Sequence, residues 1–213
     1  MTDLAALTVA IEEGDRETAV ALTREAIEAS EDPGTILKSM TAAMATVGRR
    51  FEANEIYVPE MLVAARAMKE ATALLEPLLV GAGYRPDSVA VIGTIRGDLH
   101  DIGKNLVGMM WKGANIAVVD LGTNVTPERF VAAAREHGAR IVGVSALLTT
   151  TMVGMRDVVD AVRASDLADV RVIVGGAAVT ADYAAQIGAD GYAANAASAV
   201  GVARSLAGGA QAP

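Results

Sequence analysis

Residues 89–104 read VAVIGTIRGDLHDIGK and decide the fold of the second half of the chain. The first six residues form a short apolar run with the length and composition of a buried strand. Glycine and charged side chains follow, which indicates a loop, and Gly103 lies at the start of the next helical stretch. The segment therefore predicts a strand, a loop and a helix, with Asp98 and His100 in the loop.

The same pattern continues toward the C-terminus. Helical stretches separate three further apolar runs and a weaker fourth, at residues 116–120, 141–145, 170–174 and near 191–193. This alternation predicts an α/β fold with a doubly wound, Rossmann- or flavodoxin-like parallel sheet between helices. Ligands of such sheets bind beyond the carboxyl ends of the strands. We expect the loop of His100, residues 145–151 and Gly175–Gly176 at that edge.

The first 80 or so residues contain four helical patterns with short connections, which predict an N-terminal four-helix bundle. The apolar face predicted for the fourth helix consists of Leu62, Ala65, Met68, Leu75 and Leu78. Turn-forming residues at 81–87 end the helical pattern. We therefore predict three parts: a helical cap domain at 1–84, an α/β domain at 85–207 and a disordered tail at 208–213.

Composition excludes several classes of function. The formal net charge is -8, and no cluster of Lys and Arg could neutralise phosphates, which disfavours nucleic acid as a partner. The absence of cysteine excludes disulfides, iron-sulfur clusters and thiolate zinc sites. No targeting signal and no run of about 18 apolar residues is visible, so we expect no membrane partner and a cytoplasmic location.

His100 is the candidate metal ligand of the loop. Residues two apart in an extended segment point to the same side, so the Asp98 carboxylate can bond one ring nitrogen of His100 and orient the other toward a metal. The D-x-H tripeptide is common, however. These residues alone leave open a surface histidine beside a turn-forming aspartate.

Other cofactor sites fit the sequence less well. Gly97–Lys104 resembles a phosphate loop, but five residues rather than four separate its glycines, and Asn105 replaces the residue that would bind magnesium. A catalytic zinc normally takes three protein ligands, whereas the chain has two histidines, and His137 lies at a polar helix end. A single histidine suits a metal already held by a macrocycle, either a haem or a corrin.

The second half resembles the cobalamin-binding domain of methionine synthase and of methanogen and acetogen corrinoid proteins. The family signature is D-x-H-x-x-G, about 41 residues, S-x-L, about 26 to 28 residues, then G-G. Here the matching blocks begin at Asp98, Ser145 and Gly175, with 41 and 27 residues between them. Residues 47–51 and 57–60 resemble the family's helical cap, so the resemblance covers nearly the whole chain.

The resemblance implies that cobalamin binds with its benzimidazole displaced from cobalt, that His100 becomes the cobalt ligand, and that the cofactor tail enters a slot in the sheet. Asp98 and Thr151 would form a hydrogen-bonded relay with His100, and these three are the implied catalytic residues. The implied cofactor contacts are Gly97, Asp98, His100, Asp101, Gly103, Ser145, Leu147, Thr149, Gly175, Gly176, Ala196 and, in the cap, Phe51 and Val58. Val58 replaces the family's leucine.

The resemblance also implies a corrinoid methyl carrier. Such a protein accepts a methyl group on cob(I)alamin from a substrate-specific methyltransferase and donates it from methylcob(III)alamin to a second one that uses tetrahydrofolate or a thiol. A corrinoid-reactivating protein is a further expected partner. We expect the chain to be one subunit of a multicomponent methyltransferase that is not catalytic alone. A cobalamin-binding sensor or regulatory protein is the alternative, although no DNA-binding or signalling domain is visible.

Overall fold

The structure is a computed structural model that describes residues 3–208. These residues form two compact units. The helical unit contains the residues up to Pro86 together with Gly113–Asn115, and the α/β unit contains Asp87–Lys112 and the described residues from Ile116 onward. Gly208, predicted to begin the disordered tail, is the last residue of a helix, and the remainder of that tail lies outside the described residues.

The helical unit is built from the four helices that the sequence predicted. They are α1 (Leu4–Glu12), α2 (Arg16–Glu28), α3 (Pro33–Glu52) and α4 (Val58–Gly81). Aspartate side chains cap the second and third helices: Asp15 accepts from the amide of Thr18 at 3.1 Å, and Asp32 from that of Thr35 at 2.8 Å. These bonds satisfy amide groups that a helix start would otherwise leave unpaired, which explains why both helices begin where they do.

The core of the helical unit is made mainly of alanine, methionine and aliphatic side chains. On α4 the buried residues are Met61, Ala64, Ala65, Ala67, Met68, Ala71 and Leu75. Leu62 and Leu78, predicted on the apolar face, are 39% and 40% exposed. The prediction was right for Ala65, Met68 and Leu75 and wrong at these two positions, because the buried stripe also follows small alanines that allow close approach of α2 and α3.

The α/β unit alternates strands and helices. Its strands are β1 (Ser88–Thr94), β2 (Ile116–Asp120), β3 (Ile141–Ser145), β4 (Arg171–Gly175) and β5 (Gly191–Ala193). Its helices are α5 (Ile102–Gly113), α6 (Pro127–His137), α7 (Thr149–Met152), α8 (Met155–Arg163), α9 (Ala181–Ile187) and α10 (Ala196–Gly208). The fourth strand is one residue later than predicted, and a short helix, α7, occupies part of the segment expected as a loop.

The sheet is parallel throughout the described residues, in the order β2-β1-β3-β4-β5. This confirms the predicted doubly wound architecture. Two apolar cores cover the two faces of the sheet, one centred on Phe130 and Met155 and the other on Trp111. The Trp111 ring packs against Gly143 of β3, and its indole nitrogen donates to the carbonyl of Ala199 at 3.0 Å.

The strand register places the predicted site segments next to one another. Thr94 pairs with Ser145, and Ser145 pairs with Gly175, so the carboxyl ends of β1, β3 and β4 are level. The chain leaves β1 toward β2 on one side and returns to β3 on the other, which makes the carboxyl ends of β1 and β3 the topological switch point. None of the helices within residues 3–208 has the length and apolar content needed to cross a bilayer.

Candidate metal site

The loop that follows β1, residues 95–101, is called the ligand loop here and carries Asp98 and His100. Nδ1 of His100 lies 2.7 Å from Oδ1 of Asp98, and the same oxygen accepts from the backbone amide of His100 at 3.0 Å. The imidazole side chain is 52% exposed, whereas the Asp98 side chain is fully buried. The loop therefore presents a solvent-facing ring on a buried carboxylate, and the bond between the two is the one that the D-x-H spacing predicts.

Donors from the segment after β3 surround the other oxygen of Asp98. Oδ2 accepts from the hydroxyl of Thr151 at 2.7 Å and from the backbone amide of Leu147 at 2.8 Å. Burial by itself raises the pKa of Asp98, but the hydrogen bonds from the His100 amide, Thr151, Leu147 and the His100 ring outweigh it and hold the pKa well below its usual value. Asp98 is therefore ionised at neutral pH.

An ionised Asp98 determines which ring nitrogen of His100 carries a proton. A carboxylate without a proton only accepts hydrogen bonds, so Nδ1 must donate. In the neutral ring Nε2 then holds the free lone pair, which makes it the nitrogen available to a metal. The geometry thus supports the predicted roles of Asp98, His100 and Thr151, which the structure brings together although Thr151 lies 53 residues from Asp98.

The backbone of the ligand loop is bonded to two residues that the sequence reasoning missed. The buried hydroxyl of Thr94 donates to the carbonyl of His100 at 3.0 Å. Asn124 accepts from the amide of Gly97 through Oδ1 at 2.8 Å and donates its own amide to the carbonyl of Asp98 at 3.1 Å. A sequence signal existed, because Thr94 ends β1 and Asn124 follows β2 at the same edge of the sheet.

Lys104 and Asp120 form an ion pair next to the ligand loop, and neither was predicted to be part of a site. Nζ of Lys104 lies 2.6 and 2.7 Å from the two carboxylate oxygens of Asp120 and 2.6 Å from Oδ1 of Asn105. The Lys104 side chain is 1% exposed and that of Asp120 is 43% exposed. The pair joins the first turn of α5, directly after the ligand loop, to the carboxyl end of β2.

The single nitrogen that His100 offers fits a metal whose other ligands belong to a cofactor. Among the described residues no group of three or more His, Cys, Asp or Glu side chains is arranged to hold a metal ion. His100 offers one nitrogen from an open surface, flanked by Leu99 and Ile102, which are 72% and 76% exposed. One axial nitrogen within an apolar surface suits the face of a metal macrocycle better than a bare ion.

Comparisons with known proteins agree with this arrangement. The B12 binding domain family matches residues 88–201, and a second B12 binding domain family matches residues 4–76. A corrinoid protein of Desulfitobacterium hafniense is 37% identical over 98% of this chain and 99% of its own length. The chain belongs to the B12-binding corrinoid proteins. This confirms the resemblance, the fold class and cobalamin as the cofactor.

Other relatives of this corrinoid protein come from methyltransferase systems. The dimethylamine corrinoid protein of Methanosarcina barkeri is 39% identical over 90% of this chain and 91% of its own length. A chain in the crystal structure of the methanol:cobalamin methyltransferase complex of the same organism superposes with a TM-score of 0.86 at 30% identity, covering 98% of this chain and 80% of that one. These matches support a methyl-carrier role with a methyltransferase partner.

A solved cobalamin-binding protein from Desulfitobacterium hafniense also matches nearly the whole chain. It has a TM-score of 0.82 at 29% identity and covers 97% of this corrinoid protein and 99% of its own chain. The two B12 binding domain families and the full-length matches together show that the helical part and the α/β part both belong to the family pattern.

The remaining predicted slot residues lie along the ends of β3 and β4. Ser145 is half-buried at the end of β3, and Gly175 is paired with it. Gly176 has φ +122°, and a Cβ at this position would collide with the carbonyl oxygen of Ala146. Gly176 is therefore required by the backbone of this corrinoid protein itself, whatever passes beside it.

The other predicted cofactor contacts differ in their exposure to solvent. Leu147 is 41% exposed, and Thr149 is exposed at the start of α7. Around Gly103 a Cβ would meet no atom within 4 Å, so the surface there is open. Asp101 accepts from the side-chain amide of Asn105 at 3.1 Å. Ala196, the first residue of α10, is 7% exposed and offers little surface to a ligand.

The two predicted cap residues lie in the helical unit. Phe51 is half-buried near the end of α3, and Val58 is half-buried as the first residue of α4. Partial exposure leaves both side chains free to contact another group. Their role in shielding cobalamin stays a prediction.

Proposed function

We propose that this corrinoid protein carries methyl groups from a substrate-specific methyltransferase to an acceptor methyltransferase, with His100 as the lower ligand of cobalt. The observation that carries the proposal is the bond of 2.7 Å between Nδ1 of His100 and the fully buried carboxylate of Asp98. That bond leaves Nε2 as the metal-binding nitrogen on a solvent-facing ring. Bound cobalamin would supply the cobalt to which the methyl group attaches.

Asp98 and Thr151 act on the ligand rather than on the methyl group in this proposal. Asp98 orients the ring and increases the electron density at Nε2, because a carboxylate hydrogen-bonded to Nδ1 makes the imidazole a stronger ligand. Thr151 donates to the second oxygen of Asp98 and holds the carboxylate in place. If cobalamin is bound through His100, the hydrogen bonds of Asp98 and Thr151 would influence how strongly the ring holds the metal.

The cofactor contacts proposed here follow the same edge of the sheet. The exposed Leu99, Ile102 and Leu147 provide apolar surface for the corrin ring around His100. The cofactor tail would pass along the aligned ends of β3 and β4, beside Ser145 and Gly175. Phe51 and Val58 would shield the opposite face of the ring from water.

The partners are proposed from the relatives. Dimethylamine, trimethylamine and methanol appear in the names of proteins similar to this chain, so small methylated amines and alcohols are the first donors to test. We propose a folate- or thiol-dependent methyltransferase as the acceptor and a reactivating protein that returns oxidised cobalt to the active state. Reconstitution of each donor with its cognate methyltransferase would show which one transfers a methyl group to this chain.

The ligand assignment can be tested with isotope labelling. The protein is prepared with nitrogen-15, loaded with unlabelled cobalamin, and reduced to the paramagnetic Co(II) state for electron paramagnetic resonance. Coordination by His100 predicts splitting from a nitrogen-15 nucleus, which is a doublet, whereas retained benzimidazole predicts the triplet of nitrogen-14. His100→Ala should abolish the doublet, and His137→Ala should leave it unchanged. A nitrogen-14 triplet in the unsubstituted protein would refute the ligand assignment.

A further inference from the structure

We propose that Thr94 and Asn124 are positioning residues that hold the ligand loop, so that the His100 ring keeps its orientation whether or not it coordinates cobalt. This inference rests on the proposed role of His100 and adds two residues outside the three motif blocks. It follows from the hydrogen bonds to the loop backbone, from the exposure of the ring and from the strand order.

Thr94 holds the backbone carbonyl of His100, the proposed cobalt ligand. The Thr94 side chain is buried, and its hydroxyl donates to the carbonyl of His100 at 3.0 Å. Its backbone is fixed as well, because its amide donates to the carbonyl of Gly122 and its carbonyl accepts from the amide of Val125, both at 2.9 Å. A buried hydroxyl with a rigid backbone is a precise anchor, since it cannot exchange its partner for water.

Asn124 fixes the beginning of the same segment. Its side-chain oxygen accepts from the amide of Gly97 at 2.8 Å, and its amide donates to the carbonyl of Asp98 at 3.1 Å. Asn124 has φ +56°, a conformation that asparagine adopts more readily than most residues. The two bonds bracket one peptide group of the ligand loop, so a single residue restrains the backbone on both sides of it.

The His100 ring depends on these anchors because little else orients it. The ring is half-exposed, and Asp98 is the bonded partner of Nδ1. The direction of Nε2 is therefore determined by the position of the loop backbone together with that one bond. Thr94 and Asn124 restrain this backbone from β1 and from the loop after β2, while Thr151 restrains Asp98 from the segment after β3.

Such restraint has a defined effect on the cobalt centre. A loop held in place keeps the imidazole preorganised for binding, so less conformational entropy is lost each time His100 coordinates. In the cobalamin-loaded protein, coordination by His100 would stabilise Co(II) relative to Co(I). Loss of an anchor should therefore weaken coordination by His100 and shift the Co(II)/Co(I) midpoint potential to less negative values.

Two substitution pairs test the inference. Thr94→Val removes the hydroxyl at similar volume, and Thr94→Ser restores it. Asn124→Gly removes the side-chain acceptor but tolerates the positive φ, and Asn124→Asp retains an acceptor of the same length. We expect Thr94→Val and Asn124→Gly to lower the affinity of His100 for cobalt by about tenfold, in the range seen for partners of metal-binding histidines. The serine and aspartate variants should keep the unsubstituted value.

Matched controls separate positioning from general loss of stability. Thr23 in α2 is also buried and its hydroxyl donates to the carbonyl of Ala19 at 2.7 Å, so Thr23→Val removes an equivalent bond in the helical unit. Ser30 has φ +58°, so Ser30→Gly introduces glycine at an equivalent backbone conformation. Both controls should leave the nitrogen-15 doublet of the Co(II) protein and its midpoint potential unchanged.

The readouts are the nitrogen-15 doublet and the spectroelectrochemical midpoint potential of each cobalamin-loaded variant. If Thr94→Val and Asn124→Gly keep the unsubstituted doublet and potential while His100→Ala alters both, the positioning role is wrong and the ligand assignment stands. If His100→Ala also changes nothing, the proposed function itself fails. Equal shifts in Thr94→Val and Thr94→Ser would likewise contradict the role of the hydroxyl.

Discussion

The hydroxyl group of Thr151 donates to Oδ2 of Asp98 over 2.7 Å, so a residue of the short helix α7 contacts the buried carboxylate of the ligand loop. The same hydroxyl lies 3.0 Å from the carbonyl of Leu148. Thr151 therefore ties α7 and the segment after β3 to the loop after β1. The stability of the site depends on this contact between distant parts of the chain.

Replacement of Thr151 by valine should lower the stability of the α/β unit by about 2 kcal/mol, because a hydrogen bond to a charged, buried group is lost. Thr151→Ser should retain most of this stability, and Thr150→Val, at an exposed neighbour, should change little. Urea unfolding followed by the fluorescence of Trp111, the single tryptophan of the chain, measures the difference. Equal unfolding midpoints for Thr151→Val and Thr151→Ser would show that the hydroxyl contributes nothing.

Asp98→Asn should be more damaging, although it preserves the shape of the side chain. Both oxygens of Asp98 accept hydrogen bonds, so an amide would turn its NH₂ group toward existing donors on one side. We expect the free energy of unfolding to fall by about 3 kcal/mol, because the donors on one side of the residue lose their acceptor and face another donor. The same Trp111 fluorescence assay checks this value.

Asp98→Asn should also remove the restraint on which ring nitrogen of His100 carries the proton. In the unsubstituted protein Nδ1 carries the proton, since its partner is ionised. Nitrogen-15 chemical shifts of the cofactor-free protein, recorded well above the usual pKa of imidazole, distinguish the two tautomers. His137, whose Nε2 lies 4.0 Å from Oε1 of Glu136, is the second histidine observed in the same spectrum. An unsubstituted His100 with its proton on Nε2 would contradict this prediction.

The Lys104–Asp120 pair should respond asymmetrically to substitution. Asp120→Ala leaves the ammonium of Lys104 buried without its counterion, and we expect this to cost about 3 to 5 kcal/mol. Lys104→Met leaves Asp120, which is 43% exposed and still accepts from the amide of Gly122 at 2.9 Å. Lys104→Met should lower the free energy of unfolding by about 1 kcal/mol or less, because the remaining charge of Asp120 is hydrated and the methionine fills the buried space.

The double variant Lys104→Met with Asp120→Ala provides the control for this pair. It should be more stable than Asp120→Ala alone, because the unpaired buried charge is gone. Urea unfolding of all three variants, again followed by Trp111, completes the cycle. Equal costs for the two single substitutions would mean that the burial of Lys104 does not determine the energetics of the pair.

Two glycines at the sheet edge should behave in opposite ways. Gly176→Ala should prevent folding or destabilise the α/β unit severely, because φ is +122° and the new Cβ would collide with the carbonyl of Ala146. Gly103→Ala meets nothing within 4 Å and lies in α5, so the cofactor-free protein should gain about 0.5 kcal/mol.

Measurement of cobalamin binding tests whether the cofactor approaches the backbone at Gly103. If the corrin approaches this backbone, as the resemblance implies, Gly103→Ala should bind cobalamin more weakly despite its greater stability. Equilibrium binding measured by absorbance tests this, and Gly201→Ala, at another helical glycine with no atom within 4 Å of its Cβ position, is the matched control. Equal affinity in the two variants would remove Gly103 from the cofactor surface.

The strands were the part of the fold that the sequence predicted best. β2, β3 and β5 lie at the predicted residues because a strand buried on both faces of a parallel sheet is a continuous apolar run. The short helix α7, Thr149–Met152, was not predicted, since four threonine-rich residues contain no helical period. Leu62 and Leu78 were misplaced because the buried face of α4 combines Met61, Met68 and Leu75 with four alanines, which the size of the side chains alone does not identify.

The candidate site was predictable to the extent that its chemistry is local. Asp98 and His100 are two residues apart, so their bond follows from the extended backbone between them. Thr151 was reached only through the family resemblance. Thr94, Lys104, Asp120 and Asn124 were not predicted as site residues. Thr94, Asp120 and Asn124 lie at or just after the carboxyl ends of strands, which was the available signal, but common residue types carry no pattern that marks the distant group they contact.

The sequence by itself determined the class of fold, the single candidate metal ligand and the carboxylate behind it, since periodicity and short spacings are properties of local backbone geometry. Only the tertiary structure decided which groups surround Asp98 and the ligand loop. The order β2-β1-β3 brings the loops after three strands to one edge, where donors separated by tens of residues come within 3 Å. Hydrogen bonds require that precision, and it arises from the packing of the whole sheet.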